Sequence, residues 1–122
     1  MTSTDYLVEM TFAPFANPLA PAEVASFLER SVQPTLQRLT QLAEDGTIVA
    51  GGSFVAAQAI AFIARTASAQ ALDDLVNGLP LATRAQTRVV PLTSFASRAK
   101  LASERLQRFK AQAAEPASAG NR

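Results

Sequence analysis

Glu9 is the only charged side chain in the apolar stretch Tyr6-Leu-Val-Glu-Met-Thr-Phe12, and Arg84, Gln86 and Arg88 recur at two-residue intervals further along. A carboxylate can take up and return a proton, and a guanidinium holds an anion through a fixed fork of N–H donors. Together these types suit proton transfer on a small anionic compound. Side chains two apart share one face of a strand, so Arg84, Gln86 and Arg88 are expected to point the same way. An ordinary ion pair between neighbouring strands accounts for Glu9 and Arg88 equally well. Tyr6 and Ser53 add hydroxyls that would donate at a cavity rim or simply be satisfied within strands. Arg65 would bind a carboxylate or sit on the surface.

What is missing narrows the chemistry further. The chain has no histidine and no cysteine. This excludes thiolate nucleophiles, disulfides, zinc-thiolate sites and every Ser-His or Cys-His pair. No metal site and no cofactor are expected. Asp73 and Asp74 are adjacent, so on a helix they project in different directions and do not form a shared acid/base or metal site. Gly51 and Gly52 lack the context of a phosphate-binding GxGxxG or GxxxxGK[ST] loop. They predict a bulge or a close backbone approach in a sheet, with room for a ligand against bare backbone as the alternative.

Eleven basic and ten acidic residues give a net charge of +1, which does not suit general attraction to a phosphate backbone. No nucleic-acid partner is expected. The five basic residues between Arg98 and Lys110, against the single acid Glu104, fit a solvated helix face. A length of 122 residues leaves room for one core. At 48% hydrophobic and 17% charged, the surface is lightly charged for a chain wholly facing water, so a partner subunit is expected to cover part of it. Met1 to Asp5 do not open a secretory signal and no apolar run approaches a membrane span, so a cytoplasmic location without membrane contact is expected.

The elements that must position these residues follow from periodicity. Tyr6 to Phe12 reads as the first strand, and Pro14, Asn17 and Pro18 mark a loop from Ala13 to Ala20. From Pro21, apolar residues recur three or four apart through Val24, Phe27, Leu28, Val32, Leu36, Leu39 and Leu42, predicting a helix that ends at Gly46. Pro34 predicts a kink or short break near Val32 to Pro34. Residues 47–54 and 59–64 predict the second and third strands. Ser68 is expected to cap a helix from Ala69 to Asn77, stopped by Gly78 and Pro80. A fourth strand is expected over Arg84 to Val90, with Pro91 to Phe95 leaving the sheet. A C-terminal helix is expected over Ser97 to Ala113, with Ala102, Leu106, Phe109 and Ala113 as its apolar stripe. The expected divisions are 1–95 for the α+β domain, 96–114 for that helix and 115–122 for a flexible tail.

Strand, helix, strand, strand, helix, strand is the β-α-β-β-α-β order of a ferredoxin-like core, in which right-handed crossovers put both helices on one sheet face. The bare face would then meet another copy, giving a homodimer or higher homo-oligomer with a cavity between sheets. The opening Tyr6-Leu-Val-Glu-Met-Thr, the helix end Leu39-Thr-Gln-Leu-Ala-Glu-Asp-Gly46-Thr47 and the stretch Ala71-Leu-Asp-Asp-Leu-Val-Asn-Gly-Leu-Pro-Leu81 before Val-Val-Pro-Leu92 carry a resemblance. Over about Tyr6 to Leu92 the chain resembles the muconolactone isomerase-like group of the dimeric α+β barrel superfamily. That resemblance implies a cofactor-independent isomerase moving a proton within an unsaturated lactone. It departs from the group at Ala82-Thr83, which lacks the group's aromatic residue and proline, and in its added C-terminal helix. Two functions therefore stand side by side: an isomerase using Glu9, with Arg88, Arg84, Gln86, Tyr6 and Ser53 binding a small-molecule substrate, and a non-catalytic ligand-binding or assembly module of the same fold.

Overall fold

In a computed structural model describing residues 3–12, 20–55 and 57–114, strand β1 (Thr4–Thr11) is paired along its length on both sides. Val8 and Met10 of this strand are fully buried while Glu9 between them is not, as the alternation of strand side chains requires. Burying each of those two side chains contributes about 1.5–3 kcal/mol. The other strands are β2 (Ile48–Ser53), β3 (Ala59–Thr66) and β4 (Gln86–Leu92). They form one sheet in the order β2-β3-β1-β4 with every neighbouring pair antiparallel, so the molecule is α+β as expected. The loop expected over Ala13 to Ala20 falls almost wholly outside the described residues, and so does the tail expected over 115–122.

Helices α1 (Pro21–Phe27) and α2 (Gln33–Glu44) carry the chain from β1 to β2, past the position of β3. Pro21 takes the first helical position, and the Glu23 carboxylate accepts the Ala20 N–H at 3.1 Å. Between the two helices lies a π-helical turn, Leu28–Val32. Pro34 would otherwise press on the carbonyl of Arg30, one helical turn earlier. Widening that turn relieves the contact, so the expected break takes the form of a π-bulge. Gly46, with φ of 89°, ends α2 in the left-handed conformation. The Asp45 carboxylate accepts the Thr47 N–H at 2.9 Å, which holds that carboxyl below its ordinary range and starts the turn into β2.

Helix α3 (Ala69–Asn77) returns the chain from β3 to β4, past β1. The Ser68 hydroxyl accepts the Ala71 N–H at 3.1 Å, the expected cap. Leu42 of α2 and Leu72 and Val76 of α3 pack with Val8, Met10, Ile60, Phe62 and Ala64, all from one face of the sheet. Pro80 opens a 3₁₀ helix, Pro80–Arg84, whose flanking Leu79 and internal Leu81 are buried. The fourth strand consequently begins at Gln86 instead of Arg84. It also continues through Pro91 to Leu92, because β4 is at the edge of the sheet among the described strands and an edge strand tolerates a missing N–H. A second compact unit begins at Thr93 and contains helix α4 (Phe95–Ala113), which starts two residues before the expected Ser97 because Ser94 caps it. Among the described residues, no helix is long and apolar enough to cross a membrane.

Two positions join neighbouring elements closely. At Gly51, φ is 150°, and an added Cβ would lie 2.6 Å from the Ala61 carbonyl oxygen and from the Phe62 Cβ. The bulge between Ile48 and Ala50 brings β2 this close to β3. Gly51→Ala is therefore expected to lower stability by about 2–4 kcal/mol in urea unfolding, while Gly52→Ala, with open space around it, should stay within about 0.5 kcal/mol. Thr35, buried in α2, accepts the Leu81 N–H at 2.9 Å. Thr35→Val preserves shape but leaves that N–H unpaired, and should cost about 1–3 kcal/mol by the same measurement.

Candidate functional site

The face of the sheet away from Leu42, Leu72 and Val76 carries the odd-numbered residues of β1. Cross-strand register sorts its side chains into rows. Ala50, Ile63, Leu7 and Val90 lie side by side across all four strands. The next row toward the Thr11 end holds Gly52, Ala61, Glu9 and Arg88, and on the other side lie Arg65, Asp5 and Leu92. An aliphatic row is thus flanked by two ion pairs.

Glu9 and Arg88 are directly opposite, and the Arg88 Nη1 donates to the Glu9 Oε1 at 3.2 Å. The Glu9 side chain retains 34% of its exposure and that of Arg88 69%, so both ends of the pair are open to a ligand. Gln86 shares this face, opposite Thr11 and two residues from Arg88. The expected grouping of Glu9 with Arg88 and Gln86 is therefore present.

The other three expected site residues are elsewhere. Arg84 belongs to the 3₁₀ helix, where its guanidinium lies 5.1 Å from the centre of the Phe27 ring, so it does not share a strand face with Arg88. Tyr6 is on the helix-covered side of β1 and lines a cleft with α3. Ser53, opposite the buried Ile60, also belongs to that side and lines a groove of about 210 Å³ against Leu36, Leu39 and Thr40 of α2. Two-residue spacing misplaced Arg84 because it presumed that the strand extended past Ala85. Tyr6 was separable from Glu9 by parity alone, since three residues along a strand reverses the face.

The carboxylate that Arg65 meets is Asp5, a partner that sequence reasoning did not name. Arg65 donates from Nε to Asp5 Oδ1 at 2.8 Å and from its Nη2 to Oδ2 at 3.1 Å, a two-point fork between directly opposite residues. Its sequence signal was the parity that Asp5 shares with Glu9. Among the described residues, no cluster of three or more His, Cys, Asp or Glu side chains could hold a metal ion.

The hydrogen bond from Arg65, more than its charge, holds the Asp5 carboxyl below the ordinary carboxylate range, and the same bond raises Arg65. A depressed folded-state value means that the stabilisation is complete above the unfolded carboxylate range and is lost as pH falls through the folded value. Arg65→Gln should move the Asp5 titration midpoint upward, measured by carboxyl carbon NMR, and should remove this acid-dependent part of the stability profile. An unmoved midpoint would show that the fork does not set the Asp5 affinity for protons. Compared with known proteins, the chain matches no family model and no curated protein sequence.

Proposed function

We propose that the first unit is a ferredoxin-like half of a dimeric α+β barrel, similar to the muconolactone isomerase-like group, and that two copies enclose a small-molecule site between their sheets. Its reaction is a cofactor-independent isomerisation of a small anionic, unsaturated compound such as a lactone. The observation that carries this reading is the Glu9–Arg88 pair on the sheet face opposite the helix-packed core. The strand order β2-β3-β1-β4, with a helical connection after β1 and another after β3, supports the fold assignment.

Glu9 is the base in this reading. Its carboxylate removes a proton from the carbon flanked by the double bond and the lactone carbonyl, the electron pair moves into the conjugated system, and the carboxylic acid returns the proton to the far carbon. No atom is gained or lost. Arg88 spends one N–H on Glu9 and keeps four for the substrate anion. Gln86 can donate to the carbonyl on which charge builds up.

The aliphatic row Ala50, Ile63, Leu7 and Val90 favours a second reading, in which the same face serves assembly without catalysis. Turnover of a small unsaturated carboxylated lactone, followed by ultraviolet absorbance, separates the two. Glu9→Gln should reduce kcat by about 100-fold or more, and Arg88→Gln should act mainly on KM. Sedimentation should give at least a dimer for the wild type, and Leu7→Lys should shift it toward monomer. Turnover unaffected by Glu9→Gln would remove Glu9 as the base, and absence of turnover in a wild type that still dimerises would leave the assembly reading. A monomeric wild type would remove the enclosed site itself.

A further inference from the structure

On the opposite side of the sheet, a cleft of about 350 Å³ lies between α3 and the strands β1 and β4. Its size is at the lower end of the range of about 300–1,000 Å³ typical of small-molecule pockets. Leu72, Val76 and Val89 supply apolar walls, the first two of them buried in the core. Tyr6, Asp73, Asn77 and Thr87 supply polar groups.

These four polar side chains share a property. None of the side-chain hydrogen bonds or ion pairs among the described residues engages any of them, although Asp74 beside Asp73 is bonded by Gln70 at 3.0 Å. Their oxygens can all accept: a carboxylate, an amide carbonyl, a phenol and an alcohol. Among the described residues, Asp73 is the only charged one lining the cleft, and no lysine or arginine lines it. An anion entering here would face a carboxylate without compensation. A primary ammonium brings three donors and a positive charge to an acceptor-lined site.

We propose that this cleft is a binding site for a small organic cation, a primary amine on an aromatic or short aliphatic body. The ammonium pairs with Asp73 and donates to the Tyr6, Thr87 or Asn77 oxygens, while its body lies on Leu72, Val76 and Val89. The site is independent of the isomerase reading. It lies on the other side of the sheet and prefers the opposite charge.

The test uses the full chain, titrated with phenethylamine and, separately, with 3-phenylpropionate, a carboxylate of similar size. Amide NMR shifts locate binding. The amine should bind saturably with Kd around 1 mM or tighter, with shifts centred on α3 and on Thr87 to Val89. The carboxylate should produce no saturable shift there. Asp73→Asn, on an exposed helix position, should weaken the amine at least about tenfold. Thr87→Trp, on the exposed edge strand, should fill the cleft and abolish binding while the remaining spectrum stays folded. Equal binding of amine and carboxylate, amine shifts confined to the β2 groove or the Glu9 face, or no saturable shift would each overturn the assignment. So would an Asp73→Asn protein that binds the amine as the wild type does.

Discussion

Pairing of β1 on both sides is the constraint on which the rest depends. A central strand with neighbours on each edge cannot slip by one residue without exposing Val8 and Met10 and burying Glu9. Burying an unpaired carboxylate costs several kcal/mol beyond the lost apolar contacts, so the register is set from both directions. The positions of Asp5 opposite Arg65 and of Glu9 opposite Arg88 follow from it. The ion pairs are consequences of register, and being largely exposed they are not its main cause.

Elsewhere, neighbouring elements are held by fewer and more local devices. A proline that would strain a regular helix is accommodated by the π-turn before it, so α1 and α2 can follow one another into the return to β2. Thr35 then ties α2 to the 3₁₀ helix through a buried bond across 46 residues of sequence. Gly51 allows the edge strand to close on Phe62 where any side chain would intrude. Each device acts where two elements meet at a spacing that ordinary side chains or regular helix geometry would not permit.

Periodicity revealed the order of elements because each has a strong local signal: alternation in β1, three- and four-residue spacing through Leu36, Leu39 and Leu42, and a serine cap before Ala69. Edges were less legible. Whether Arg84 extends β4 or closes a 3₁₀ turn depends on Leu79 and Leu81 finding places in the core, which no local pattern encodes. Pro91 taken locally marks the end of a strand, yet an edge strand tolerates it, and edge position is a property of the whole sheet. Parity was available throughout. Applied to Tyr6 and Glu9 it separates them, and applied to Asp5 and Glu9 it joins them.

That parity also relates the two proposed sites. Glu9 and Tyr6 belong to one strand, and Arg88 and Thr87 are neighbours on another, so two adjoining strands supply both faces. On the Glu9 face, each acid is already matched by an arginine, and Arg88 retains donors for a further anion. On the Tyr6 face, Asp73 has no such match and the surrounding groups can all accept. Alternate residues of one register thus supply the strand side of both proposed sites, while the charge of the second comes from Asp73 on α3. A change that shifted β1 by a single residue would abolish both sites at once, whereas a change at the tip of one side chain would affect only its own face.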